Sequence, residues 1–402
     1  YSTNIFQSNN INIMELTQFL EQSDQSVAKL VSSTGSKKSV VYAFDGTRRS
    51  YLMEHGLNSN SNPHDDNVRI DYDIYSQSAI RKLLDHLLMM FDQGIHTIIY
   101  PMWFYTLEQR GPEYLPKFIG YLRGLGELLN NALLLEAYLN SGVRIIFYGD
   151  YKQLLMRVND YKLLNTFETI MELTKHNTKK VVLLGTIIQD PSETIIQLTT
   201  EHYCKYNRAP TKKELIKQYY QVEVEEVSFY FGFDRFTTDG RPILLCDNGR
   251  EDLYFSVSPH SLLTKQQFRK ILYDHLYCRS VANAKEYQLK TLDVEIMRSF
   301  YLENMGNTMG VGDVQYHGQY WCPLPQVNVH SLNNLMESPS ETGEQCSTTT
   351  TSVHIHMETG SDGSGSASSP PRQLWRGDSG ELCCSITPPM ESSRPSSLSP
   401  PG

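Results

Sequence analysis

Six short apolar runs, each followed by a stretch of helical periodicity, constrain this chain more than any other feature. They are SVVYAF (39–44), HTIIYPMWF (96–104), VRIIFYG (143–149), KVVLLGTI (180–187), EVSFYFGF (226–233) and DLYFSVS (252–258). Their β-branched and aromatic residues suit a pleated, buried strand. Between and after them the spacing predicts helices over 75–91, 114–139, 159–176, 191–206, 212–220 and 264–279. Thr264 followed by Gln267 is a capping-box opening, and Pro210 to Glu214 also reads as a helix start. Strands separated by helices predict an α/β fold: a mostly parallel central sheet with helices on both faces.

In open sheets of this kind, ligands bind just past the carboxyl ends of the strands. The first run leads with no spacer into Asp45, Gly46, Thr47, Arg48 and Arg49. Glycine lets the backbone approach a ligand closely. Amides beyond the strand bind phosphate oxygens where a helix starts. Two arginines hold a diphosphate through bidentate, charge-assisted bonds. An aspartate beside a diphosphate is repelled unless a cation lies between them, and Mg²⁺ meets that need with one or two carboxylates plus phosphate oxygens. The cluster therefore reads as a Mg²⁺–diphosphate site. It reads equally as a β-turn with solvated arginines, and residue type alone does not choose.

Two other strand ends repeat the pattern. FYGDYK brings Gly149, Asp150 and Lys152, but Gly-Asp is a common turn pair and Asp150 serves as well to cap the next helix. FGFDRFTTDGR brings Arg235, a further candidate phosphate ligand or a solvated strand-end arginine, and Arg241, which reads as a turn residue. The aromatic residues near these strands are first of all core, although aromatic faces also stabilise cations. HDDNVRID (64–71) carries three aspartates, but it follows SNSNP and reads as a loop rather than a metal-binding helix face.

The chain has 402 residues and a net charge of −9, which disfavours a general nucleic-acid partner. No apolar run reaches the roughly 18 residues a membrane span needs. The seven cysteines are scattered without zinc spacing, which predicts free thiols and a cytoplasmic location. The chain opens on Tyr1, without a signal-peptide pattern. From about residue 335 the composition turns to Ser, Thr, Gly and Pro, which cannot bury enough apolar surface to offset chain entropy. The expected organisation is a disordered segment 1–11, one folded domain 12–325 and a disordered tail 326–402.

Seven stretches together resemble one known family. FDGTRR (44–49), FYGDYK (147–152), RAPTKKELIKQYY (208–220), FGFDRF (231–236), LYFSVSP (253–259), TKQQFRKILYDHLYCR (264–279) and MGVGDV (309–314) occur in the order seen in the tuberculosinol (isotuberculosinol) synthase family. Those are bacterial diterpene synthases with the cis-prenyltransferase, or (Z)-prenyl synthase, fold. The resemblance implies a homodimer and Mg²⁺-assisted loss of diphosphate from a prenyl or terpenyl diphosphate. Water, or a nucleoside nitrogen, then captures the cation. It implies that Asp45 holds the metal, that Gly46, Thr47, Arg48, Arg49 and Arg235 bind the diphosphate, and that Tyr75 is the active-site tyrosine. Without the resemblance Tyr75 reads as a helix-start tyrosine packed in the core.

One departure stands out. The family's aspartate-rich segment falls on Tyr105, Thr106, Leu107, Glu108 and Gln109, where no aspartate is present. The leading expectation is a terpene synthase giving an alcohol or hydrocarbon. The alternatives are a transferase that joins an allylic diphosphate to an acceptor, and a non-catalytic subunit of the same fold.

Overall fold

A computed structural model describes residues 14–44, 47–55, 70–233, 235–246, 249–279, 289–315, 320–324 and 327–329. The expected terminal segment 1–11 lies outside these residues, as does nearly all of the expected tail.

All six apolar runs form strands: β1 (Ser39–Tyr42), β2 (Thr97–Trp103), β3 (Val143–Gly149), β4 (Lys180–Thr186), β5 (Val227–Phe233) and β6 (Asp252–Ser256). They pair in parallel in the order β3-β4-β2-β1-β5-β6. β1 is shorter than its apolar run because Phe44 N turns back to Tyr42 O at 3.0 Å and leaves the ladder. The runs of β1 to β5 are largely apolar because both faces of the sheet are covered there, whereas the edge strand β6 is only partly buried. Val40 and Tyr42 of β1 face one core and Val41 faces the other. The first core is roofed by α4 (Tyr72–Asp92), α5 (Tyr114–Leu129) and α8 (Tyr161–Thr174). The second is covered by α10 (Lys212–Tyr220), through Ile216 and Tyr220.

Proline in a central strand costs a ladder bond. Pro101 sits in β2, and the β2–β4 register shifts between Pro101 and Trp103 as a result. The irregularity lies at the carboxyl end of β2, where the chain leaves the sheet.

Several helix expectations need correction. The predicted helix 114–139 is two helices, α5 and α6 (Ala132–Asn140), because Asn131 breaks the first and caps the second by accepting from Leu133 N at 3.0 Å. The predicted helix 264–279 is α11 (Lys265–Tyr273) followed by a wide π turn over Asp274–Cys278. The sequence reading did not foresee α1 (Leu16–Glu21), α2 (Asp24–Ser32), α12 (Thr291–Glu303) or the hairpin of β7 (Gly312–Gln315) and β8 (Tyr320–Pro323). The remaining α-helices among the described residues are α3 (Thr47–His55), α7 (Tyr151–Arg157) and α9 (Pro191–Tyr206).

One buried cation ties the amino-terminal helices to the sheet. Arg269 of α11 is 4% exposed. It donates to Leu20 O, Gln22 O and Asp24 Oδ1, each at 2.7 Å, and to Gln93 Oε1 at 2.8 Å. Gln93 follows α4 and precedes β2, so this network lies at the amino-terminal end of the strands. Among the described residues no helix is long and apolar enough to cross a membrane.

Candidate active site

The carboxyl ends of β1, β2 and β5 open into a cavity of about 660 Å³. Asp45 and Gly46 lie outside the described residues. The chain is described again at Thr47, the first residue of α3, so Thr47, Arg48 and Arg49 lie in the first turn of that helix. Thr47 and Arg48 line the cavity. Helix α4 brings Tyr75 to meet them. Its start is fixed by Asp71, whose carboxylate accepts from Asp73 N at 3.0 Å and Ile74 N at 3.2 Å. Thr47 Oγ1 and Tyr75 Oη lie 2.6 Å apart. Burial pushes the Tyr75 phenol up and outweighs the opposing hydrogen bond from Thr47, so Tyr75 is protonated at neutral pH.

The structure adds two cations that the strand-end reasoning missed. Arg110 donates to Tyr114 Oη at 3.1 Å, with its guanidinium 5.0 Å from that ring's centre. Lys117 Nζ lies 5.0 Å from the centre of the Tyr72 ring, and Tyr72 is 6.0 Å from Tyr75. A signal for them was present in the sequence. Residues 110, 114, 117, 118 and 121 recur at steps of three and four, so the helical part of the row shares one face of α5. All five line the cavity. Deeper in, Tyr100 and Tyr121 share a hydroxyl contact of 3.1 Å, and burial raises both phenols. The wall is therefore basic beside Tyr72 and Tyr114 and aromatic beyond.

The other sequence candidates lie elsewhere. Arg49 is half-buried and does not line the cavity. Arg235 is exposed, follows β5 by two residues, and does not line it either. Asp150 accepts from Ile188 N at 2.9 Å and thereby joins the ends of β3 and β4. Gly149 beside it has φ +76°, and a Cβ there would lie 2.3 Å from Thr186 O. Lys152 pairs with Glu168 at 2.6 Å. FYGDYK is thus a structural corner. Of the segment 105–109, Thr106 and Leu107 line the cavity, whereas its one carboxylate, Glu108, pairs with Arg157 at 2.8 Å.

Beneath the cavity floor, Tyr42 Oη and His86 Nδ1 are 2.6 Å apart. Burial, with the nearby His260 and Lys82, pushes His86 down to about 3. His86 is therefore a neutral partner of Tyr42 in the core.

Among the described residues no three His, Cys, Asp or Glu side chains form a metal cage. Mg²⁺ bound with a diphosphate does not require one, since it takes one or two carboxylates and fills its shell with phosphate oxygens and water. The described wall offers hard oxygen donors of that kind in Thr47, Glu113 and Asp239, so the donor chemistry fits.

No family model matches the chain. The tuberculosinyl adenosine transferase of Mycobacterium tuberculosis (strain CDC 1551 / Oshkosh) is 32% identical over 313 residues, which are 77% of this chain and 99% of that protein. A probable undecaprenyl diphosphate synthase from Campylobacter jejuni aligns with a TM-score of 0.42 and 16% identity, over 60% of this chain and 96% of that chain.

Proposed function

The chain belongs to the tuberculosinyl adenosine transferase family, and from that premise we propose that it transfers a prenyl or terpenyl group from its diphosphate to an acceptor, with a nucleoside as the acceptor class. The expected terpene synthase and the expected transferase share the ionisation step and differ in the nucleophile. The relative is a transferase by name, which favours the second reading over the first.

The observation that carries the proposal is the composition of the cavity wall. Arg48, Arg110 and Lys117 gather around Tyr72, Tyr75 and Tyr114, next to an aromatic interior formed by Tyr100, Phe118 and Tyr121. Such a wall suits a ligand with a polyanionic head and an apolar body. In the proposed reaction the allylic C–O bond breaks and its electron pair leaves with the diphosphate. Fixed cations aimed at that leaving group stabilise the charge that develops on it. Arg48, with Arg110 and Lys117, takes this part. Tyr75, held protonated, donates to an oxygen of the departing group. The aromatic faces stabilise the allylic cation while it waits for the nucleophile. A lone pair of the acceptor nitrogen then forms the C–N bond, and the positive charge passes to the heterocycle or leaves as a proton to water. Mg²⁺, held by Asp45, would neutralise diphosphate charge when bound.

The test is diphosphate release and product analysis. Purified protein with Mg²⁺ is given geranylgeranyl and labdane-type diphosphates with and without adenosine. Released diphosphate together with a prenylated nucleoside supports the proposal, as does loss of both in Arg48→Ala. If no diphosphate is released from any of these substrates, the proposal fails.

A further inference from the structure

Two lysine pairs stand at the amino ends of strands that are far apart in the chain: Lys37-Lys38 just before β1 and Lys179-Lys180 at the start of β4. The fold brings them together. β2 lies between β1 and β4, and the register sets Ser39 opposite Thr97 and Thr97 opposite Val181. Lys38, His96 and Lys180 therefore share one level across three neighbouring strands. His96 N donates to Lys38 O at 3.1 Å, and Val181 N donates to His96 O at 2.8 Å. Neighbouring strands lie about 4.8 Å apart, so the two lysine backbones stand roughly 10 Å from each other. A cavity of about 500 Å³ opens at this level, and all four lysines line it with His96. It lies at the amino ends of the strands, opposite the candidate active site, and the two cavities have no lining residue in common.

We propose that this cavity is an anion site that takes a phosphate-bearing ligand, supplied as a free phosphorylated small molecule or as the headgroup of an acidic lipid. The inference does not depend on the transferase reading. Three observations support it. First, the charge is concentrated and unanswered. The chain carries −9 overall, yet four ammonium groups meet here, and like charges held together repel. None of the four forms an ion pair among the described residues, and Lys180 Nζ lies 5.4 Å from the centre of the Phe91 ring instead. Of the two carboxylates on the wall, Asp24 is engaged by Arg269 and Lys265, and Asp92 is exposed and pairs with no described cation. Second, burial and then the charge of Lys37 lower the His96 imidazole, so it adds a neutral ring in a positive field and not a fifth charge. Third, uncharged donors are at hand. Gly35 and Ser36 line the cavity, and neither their amides nor the Ser36 hydroxyl has a partner among the described residues. Lysine serves phosphate as a compact point charge, and amides and hydroxyls complete such a shell. The volume admits a phosphate together with the body that carries it. A cavity of this kind, on an acidic chain, suits a small ligand or a headgroup better than the long basic stripe a nucleic acid needs.

The test is direct binding to the full chain in two arms. In the first, inorganic pyrophosphate is titrated by calorimetry into the unsubstituted protein, Arg48→Ala and the double variant Lys37→Gln/Lys179→Gln. Both lysines are exposed, so their replacement should leave the fold intact, and the single variants serve should the double one misfold. In the second arm the same proteins are sedimented with phosphatidylcholine vesicles made with and without phosphatidic acid. For a free ligand the expected result is a pyrophosphate site that survives Arg48→Ala and weakens at least about tenfold in the lysine variant, the equivalent of one good contact. For a lipid headgroup it is binding to the phosphatidic acid vesicles that falls by the same factor in the lysine variant. Either result supports the site and names its source. If the lysine substitutions change neither pyrophosphate nor vesicle binding, the site is overturned. Pyrophosphate binding that is indifferent to Arg48→Ala but lost in the lysine variant supports this site while counting against the diphosphate cavity, so the two claims fail separately.

Discussion

Replacing Arg269 by methionine should cost about 3–5 kcal/mol of stability, the range found when one partner of a buried charge network is removed. The magnitude follows from what the guanidinium leaves behind. Methionine keeps the aliphatic volume but takes away bonds to four acceptors. Asp24 loses least. Its side chain is 41% exposed, and it keeps Gln93 Nε2 at 2.9 Å and Lys265 at 3.1 Å. The carbonyls of Leu20 and Gln22 and the side-chain oxygen of Gln93 lose more. Each buried acceptor left unpaired costs about 1–3 kcal/mol, reduced where water follows the vacated charge. Equilibrium unfolding in urea, followed by circular dichroism, reads the sum. Arg269→Lys should recover part of the loss because it keeps one charge-assisted donor. The network lies at the amino-terminal end of the strands, away from the cavity, so the variant that remains folded should retain its turnover. A loss below about 1 kcal/mol would show that the amino-terminal helices are not held through this residue, and the reasoning would fail.

Other predictions concern the site and its floor. Tyr75→Phe should leave stability nearly unchanged, because Thr47 still faces the cavity, but should slow diphosphate release about 10- to 150-fold. That range is the rate equivalent of a 1.5–3 kcal/mol bond to a charged group, and steady-state kinetics would check it. Gly240→Ala, whose added Cβ would stand 1.8 Å from Phe104 Cε1, should push that ring out of place. The cost is roughly 1–3 kcal/mol, read as a lowered melting temperature. His86 gives a pH dependence whose sign is fixed. Its folded value of about 3 lies below the ordinary 6.5, so the unfolded chain binds the extra proton between these limits. Its contribution is intact above pH 6.5 and declines as pH falls towards 3, by up to about 5 kcal/mol. Urea unfolding at pH 7 and pH 5 would show it, and in His86→Phe the slope should flatten.

The fold was legible because β1 to β5 are buried on both faces and are therefore largely apolar, which makes each run conspicuous against its neighbours. The helix boundaries were less legible. Asn130 and Asn131 are ordinary surface residues in a sequence, and only the capping bond from Leu133 N turns the second into a boundary. The site was half legible. Thr47 and Arg48 are found by the strand-end rule, since sheet topology alone places them. Tyr75 required the family resemblance, because nothing local separates a cavity tyrosine from a packed one. Arg110 and Lys117 were missed because they come from the face of α5 and not from a strand end. The opposite error is FYGDYK, where the same local pattern makes a corner whose aspartate is used up on Ile188 N. Residue type after a strand points to the sheet's ligand-binding edge. Which strand end opens into a cavity depends on the helices packed above it.

The transfer reaction is tested most directly by one incubation, in which the protein, Mg²⁺, isotopically labelled adenosine and a diterpenyl diphosphate are combined and the extract is examined by mass spectrometry. The account predicts that label appears in a prenylated nucleoside, in an amount equal to the diphosphate released, and that Arg48→Ala abolishes both. If diphosphate is released while the terpene emerges as a free alcohol or hydrocarbon and the adenosine is recovered unchanged, the protein is a synthase and the transferase account is contradicted.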